Sequence, residues 1–174
     1  HCADRIVAVS ETYAEEILET DKGAGLQYAL QAEKHKLSGI INGIDYEYYN
    51  TATDPNIYRN FDKESIADRK ENKEKLQEEL GLAISSETPM FSYIGYMAAH
   101  KGIDLLLQVI DPYLENGAQF VILGGGNPEY QDKLLNLANK YPDNVKIKIE
   151  YDSHFAKKIY ASADYLFNIA TVEP

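Results

Sequence analysis

"MFSYIGYMAAHKGIDLLLQVIDPYLENGAQFVILGGG", Met90 to Gly126, decides the fold. It opens on an apolar strand, Met90 to Tyr96. A loop with one clear cation, Lys101, follows. Next comes a helical run in which Ile103, Leu106, Leu107 and Ile110 share one side. Pro112 sits inside that run and predicts a break near Asp111, because proline removes an N–H and clashes with the preceding turn. A second apolar strand then runs straight into three glycines. Strand, helix and strand in this order predict two parallel strands joined by a crossover helix.

The pattern continues on the C-terminal side. "PEYQDKLLNLANKY" reads as a helix with Pro128 in its first turn, where proline is tolerated. "VKIKIEY" alternates as a strand, "SHFAKKIYASA" reads as a helix and "DYLFNIA" as a strand. Four strands alternating with three helices predict an α/β fold with an open, doubly wound parallel sheet. Such sheets bind ligands beyond the carboxyl ends of their strands. Four places therefore draw interest, all expected along one edge: Tyr96 to Lys101, Gly124 to Asn127, Tyr151 to Ser153, and Ala170 to Glu173.

Toward the N-terminus, "RIVAVS" alternates like a short strand. Ser10 is placed to cap the helix "ETYAEEILE". "YALQAEKHK" reads as a second short helix, and "LSGIINGID" is an apolar run with a turn signal at Asn42-Gly43. From Tyr46 to Asp62 the chain is rich in Tyr, Asn, Asp and Thr and has no period, as in a linker or an excursion between two bodies. A charged helix is expected from about Lys63 to Leu80, closed by Gly81, with only Ile66, Leu76 and Leu80 to bury.

Composition excludes several classes. The chain has 174 residues, 44% hydrophobic and 26% charged. No apolar run approaches the ~20 residues of a membrane span. A net charge of -11 argues against a nucleic-acid partner, since phosphate backbones are bound by clustered Lys and Arg. One cysteine, Cys2, permits no internal disulfide and fits a reducing compartment. The four histidines are scattered, and no Cys/His cluster has zinc spacing. The chain begins His1-Cys2 and stops at Glu173-Pro174 after a strand-like run, which reads as an internal piece of a longer protein.

Each candidate residue has two readings. Gly124, Gly125 and Gly126 let the backbone approach a ligand, and the helix start beyond them offers N–H groups to an anion. They equally make a tight strand-to-helix turn, and their spacing is not the G-x-G-x-x-G dinucleotide fingerprint. Lys101 is placed to pair with a phosphate, or is a solvated surface lysine. Tyr151 is an aromatic for stacking on a base, or a packed ring. Glu173 is a carboxylate for sugar hydroxyls, or an exposed side chain. Asn42 faces a cleft between two bodies, or simply makes the Asn-Gly turn.

Taken in order, "ADRIVAVSETYAEEI", "LSGIINGID", "ENKEKLQEELGL", "IGYMAAHKGIDLLL", "VILGGGNPEYQDKL", "IEYDSHFAKKIYASADYLF" and the terminal "VEP" resemble the bacterial glycogen synthases and plant starch synthases. The likeness covers nearly the whole chain. It implies the GT-B fold, two Rossmann-like domains facing across a cleft. It also implies transfer of glucose from ADP-glucose to the non-reducing end of an α-1,4-glucan, with retention and without a metal or other cofactor. The partners implied are the nucleotide sugar and the glucan acceptor, with no nucleic acid and no membrane. The compartment implied is the bacterial cytoplasm, or a plastid for a plant-like protein.

On that resemblance, residues 1–42 end the N-terminal, acceptor-side domain. Residues 43–62 are the interdomain linker, and residues 63–174 are part of the nucleotide-sugar-binding C-terminal domain. Lys101 matches the pyrophosphate-binding lysine and Tyr151 the aromatic that stacks on adenine. Asn42 matches the cleft asparagine, Gly124 to Gly126 the glycine turn near the nucleotide, and Glu173 the first of a paired-glutamate motif that contacts the donor sugar. Catalysis would rest on Lys101 and Glu173. Two positions depart from the family: Tyr96 and Thr171 stand where it carries arginines. Loss of a donor aimed at developing charge costs on the order of 3 kcal/mol, so a non-catalytic homologue that binds nucleotide or glucan in a regulatory or assembly role is the alternative. A third reading is a body whose ligand site has decayed. The 174 residues alone are expected to be inactive.

Overall fold

The computed structural model describes residues 3–171, which form two compact units, one ending at Tyr46 and the other beginning at Glu47. In the first unit, β1 (Ile6–Ala8) leads into α1 (Glu11–Glu19), and α2 (Gln27–Ala32) leads into β2 (Leu37–Gly39). The two strands pair in parallel, Ile6 opposite Leu37. Ser10 caps α1 as the sequence indicates, its hydroxyl accepting from the Tyr13 N–H at 3.0 Å. Ala8, Ala14 and Ile17 make a small core with Leu30 and Leu37. The expected second helix is divided: α2 stops at Ala32 and a 3-10 turn covers Lys34–Lys36. Asn42-Gly43 does not make the expected turn. Residues 41–45 have no regular structure, the turn falls at Tyr46 to Tyr49, and Gly43 is not in the left-handed region that Asn-Gly turns use.

The second unit holds the predicted parallel sheet. Its strands are β3 (Met90–Ile94), β4 (Gln119–Leu123), β5 (Val145–Lys148) and β6 (Tyr165–Leu166), in the order β5-β4-β3-β6. Every pairing is parallel. The strand "DYLFNIA" is cut to two residues, although the Phe167 N–H still reaches the Ser92 carbonyl at 2.8 Å. Pro112 has the effect expected of it: α4 (Ile103–Val109) and α5 (Asp111–Glu115) part at Ile110. Helix α6 (Pro128–Lys140) carries proline at its first position.

Alternation along the strands sends side chains to two helical layers. Phe91, Tyr93, Phe120 and Ile122 pack toward α4, α5 and α6, where they meet Ile103, Leu106, Ile110, Leu114 and Leu134. Met90, Val121 and Leu123 face the other way. There they meet Leu76 of α3 (Arg69–Leu80) and Phe155 and Ile159 of α7 (Ser153–Ser162). All five residues of β4 are buried, as a central strand covered on both faces requires. Each large apolar side chain so buried contributes about 1.5–3 kcal/mol.

Helix α3 departs most from expectation. It starts at Arg69 rather than near Lys63, because Asp62 and Ser65 close a turn first: the Asp62 carboxylate accepts from the N–H groups of Glu64 and Ser65. Ile66 is 56% exposed and buries nothing useful. The buried stripe is instead mostly polar: Asn72, Lys73, Leu76 and Gln77. Asn72 Oδ1 accepts from the backbone of Tyr58 and Arg59 at 3.0 and 3.1 Å, and its Nδ2 donates to the Arg59 carbonyl at 2.8 Å. Gln77 links Ser85 to Gln119. Lys73 pairs with Asp164 at 2.7 Å, and the same Asp164 oxygen accepts from the Met90 N–H at the start of β3. Arg69 donates to the carbonyls of Ala161 and Ala163 at the end of α7. Residues 47–62, irregular in sequence, are thereby held onto α3 by side-chain-to-backbone bonds.

Replacing Asn72, itself fully buried, by Ala leaves two N–H groups and a carbonyl of Tyr58 and Arg59 without that partner. Asn72→Ala is expected to cost about 2–4 kcal/mol, read from the urea midpoint. A loss below about 1 kcal/mol would show that the 47–62 segment is not anchored there.

Candidate functional site: a tyrosine-walled cleft at the carboxyl ends of the strands

Beyond Ile94 and Leu123 the chain continues to pair. The Gly95 N–H reaches the Leu123 carbonyl at 3.1 Å, the Met97 N–H reaches Gly125 at 2.9 Å, and the Asn127 N–H returns to Met97 at 2.8 Å. Met97 and Gly126 form a parallel bridge. This closeness needs glycine: a Cβ on Gly124 would collide with the Gly95 carbonyl, and one on Gly126 with the Met97 backbone.

These loops floor a cleft of about 600 Å³. Ile94, Gly95 and Tyr96 line it from the end of β3, Leu123 to Gly126 from the end of β4, and Glu150 to Ser153 from the end of β5. Ala156 and Tyr160 of α7 and Tyr49 complete the lining. Tyr151 is 95% exposed at the rim, so its ring is not a packed core aromatic. The cleft thus brings together Gly124, Gly125, Gly126 and Tyr151 with Tyr96.

Lys101 ends a 3-10 turn, Ala99–Lys101, beyond β3; it is half-buried and does not line the cleft. Gly102 follows at φ 75, a left-handed conformation, and presses against the Ile169 carbonyl. Thr171 donates from its N–H to the His100 carbonyl at 2.8 Å, so the chain after β6 is tied to the Lys101 turn. Asn42 is exposed in the first unit. Glu173 lies outside the described residues.

Helix α6 does not offer the anion-facing N–H groups that the glycine run suggests. Pro128 has none, the Glu129 N–H goes to the Asn127 side chain, and the Tyr130 N–H goes to the Asn127 carbonyl. No lysine or arginine lines the cleft among the described residues. Its charged groups are Glu150 and Asp152, and Lys148 holds both, at 2.6 and 2.8 Å. The hydrogen bond from Lys148, followed by those from the N–H groups capping α7, brings the Asp152 carboxyl down to about 2. Burial, and then the neighbouring Tyr49, push the Tyr160 phenol up, so it keeps its proton. A ring-lined cleft with a glycine floor and carboxylates rather than cations is suited to a flat neutral group more than to a phosphate. Among the described residues no group of three or more His, Cys, Asp or Glu could hold a metal ion. No helix there is long and apolar enough to cross a membrane.

Sequence reading missed Tyr49 and Tyr160. The second was findable: Ser153, Ala156 and Tyr160 follow one helical face, and the first two stand beside Tyr151. Tyr49 carried no signal, since its segment has no period.

Asp152 titrates lower in the folded chain than a free carboxyl near 4, so its ionised form stabilises the fold above about pH 4. That contribution is lost as pH falls toward 2. Asp152→Asn keeps an N-cap acceptor and removes the charge. The loss of stability between pH 5 and 2, followed by denaturant midpoints, is therefore expected to be shallower in the variant. An equally steep loss would remove Asp152 from the acid response.

No protein-family model matches the chain. It is 41% identical over 172 residues to a glycogen synthase of Lactobacillus acidophilus and 42% identical to one of Thermotoga maritima. Each match covers 99% of the chain but only 36% and 35% of the relative. The catalytic domain of starch synthase IV from Arabidopsis thaliana, solved with ADP and acarbose, superposes with a TM-score of 0.92 at 32% identity. It covers 99% of the chain, which spans 36% of that structure. A glycosyltransferase from Rickettsia africae, 18% identical with a TM-score of 0.65, shares the fold. Along nearly its whole length the chain is homologous to glycogen synthases and starch synthases and matches GT-B glycosyltransferase structures, spanning about a third of the length of those relatives.

Proposed function

We propose that the chain is the nucleotide-binding portion of a retaining glucosyltransferase that moves glucose from ADP-glucose to the non-reducing end of an α-1,4-glucan. The observation that carries this reading is the cleft itself: a glycine-floored, tyrosine-walled space at the sheet edge, in a chain matched over 99% of its length by glycogen synthases. On this reading the base lies in the cleft against Tyr151, above Gly124 to Gly126. The diphosphate extends toward the Lys101 turn, where an ammonium stabilises the leaving charge. Glu173 contacts the donor sugar. The unit ending at Tyr46, with Asn42, belongs to the acceptor side, and the unit from Glu47 to the donor side. Solvation of the leaving diphosphate by protein cations makes a metal unnecessary.

A second reading is favoured by one observation. Tyr96 lines the cleft where the resemblance calls for an arginine, and no lysine or arginine lines it among the described residues. A phenol does not replace a bidentate guanidinium. A homologue that binds nucleotide or glucan without transferring glucose fits this lining.

Calorimetry on the chain separates the parts. ADP is expected to bind, and Lys101→Ala to weaken ADP by about tenfold while leaving adenosine unchanged, since one charge-assisted contact is worth about 1.5–3 kcal/mol. Tyr96→Arg is expected to tighten ADP by a similar factor. No ADP binding at millimolar concentration would sink the donor reading. The chain alone is expected to incorporate no glucose into glycogen. Replacing the matching third of a glycogen synthase with it then decides between the readings: ADP binding without transfer leaves the non-catalytic one.

A further inference from the structure

The cleft has a wall to which the donor reading gives no role. Tyr49 and Tyr160 stand there, the first from the irregular segment before α3 and the second from α7. Tyr49 is positioned by an unusual anchor. Lys157, only 8% exposed, donates to the Tyr48 carbonyl at 2.6 Å and pairs with Asp54 at 2.7 Å. Its ammonium also lies 3.6 Å from the centre of the Tyr48 ring. Asp54 is itself buried, and its other oxygen accepts from the N–H and side-chain amide of Asn56. The Tyr48 and Tyr49 rings meet edge to face at 4.8 Å. Lys157 therefore fixes the backbone one residue before Tyr49 and the ring that Tyr49 leans on.

Burying an ammonium and a carboxylate together is seldom the most stable choice, since both lose their water. A methionine of similar length would fill the same space. What the ion pair adds is one geometry for a segment that has no secondary structure of its own. We propose that Tyr49 and Tyr160 form a second ring-binding wall of the cleft, acting with Tyr151 on the uncharged base of a nucleotide, and that Lys157 is its positioning residue. The inference rests on the donor reading and goes beyond it by assigning the base a second aromatic contact and that contact a support. Tyrosines, glycines and carboxylates around one space, with no cation in its lining among the described residues, favour a planar neutral ring over an anion.

The test is equilibrium binding of ADP and of adenosine to the whole chain, with thermal melts in parallel. Tyr49→Ala and Tyr160→Ala remove side chains about half exposed, so their melting temperatures should stay near the parent's. Each is expected to weaken both ligands by about fivefold or more, the scale of lost base stacking. Lys157→Met should weaken them to the same extent, Lys157→Arg should restore binding, and Tyr49→Ala combined with Lys157→Met should bind no worse than Tyr49→Ala alone. If Lys157→Met does not fold, Asp54→Asn, which loosens the same anchor, takes its place. Parent-like affinity in both tyrosine variants overturns the wall. Parent-like affinity in a folded Lys157 or Asp54 variant overturns the positioning role. A parent chain that binds no ADP overturns the donor reading and the wall with it, whereas a parent that binds beside indifferent variants overturns the wall alone.

Discussion

The candidate site depends on how closely the loops after β3 and β4 approach. Parallel pairing normally ends with the strands. Here it runs on through Gly95, Met97 and Gly125 and closes with Asn127 returning to Met97. Only residues without a Cβ allow it at Gly124 and Gly126. The glycine run is then primarily a packing device. It brings two loops within hydrogen-bonding distance, and their joined backbones make the floor on which the cleft stands. A third contact of the same kind, Gly102 against the Ile169 carbonyl, places the Lys101 turn beside the chain leaving β6. Ligand-facing geometry in this unit is set by backbone proximity before any functional side chain enters.

Stability and site geometry meet in α3 and α7. The sheet is held by two apolar layers, yet the elements that shape the cleft from below are tied by buried polar groups. Arg69 closes the end of α7, Asp164 joins Lys73 to the first residue of β3, and Asn72 holds the segment that carries Tyr49 nearby. Each such contact contributes little net energy while intact and costs much when one partner is removed. That asymmetry rigidifies: alternative packings leave a charge or an amide stranded. Lys157 and Asp54 repeat the arrangement next to the cleft.

Much of this was legible because it follows from local chemistry. Strand and helix alternation after Pro89 gave the parallel order. Ser10, Gly81, Pro112 and Pro128 each acted as their backbone preferences require. Long-range effects were less visible. The polar stripe of α3 defeats a search for apolar periodicity, because Asn72 and Gln77 are buried through partners at residues 58, 59, 85 and 119. Asn42-Gly43 has turn chemistry, but local preference decided nothing there. Tyr151 and the glycines were found at the sheet edge by position in the chain, whereas Tyr49 reaches the cleft from a segment without period, and only tertiary contacts put it there.

The separation of ring and charge within this edge bears on what a lost arginine does. Stacking on tyrosine needs no cation, and both carboxylates of the cleft already pair with Lys148. On the donor reading, base recognition can therefore persist with Tyr96 where the resemblance calls for arginine. Stabilising a departing diphosphate would then rest on the Lys101 turn, since that charge develops only in the transition state and must meet donors already in place. On the same reading, substitution at the end of β3 falls on turnover more heavily than on affinity.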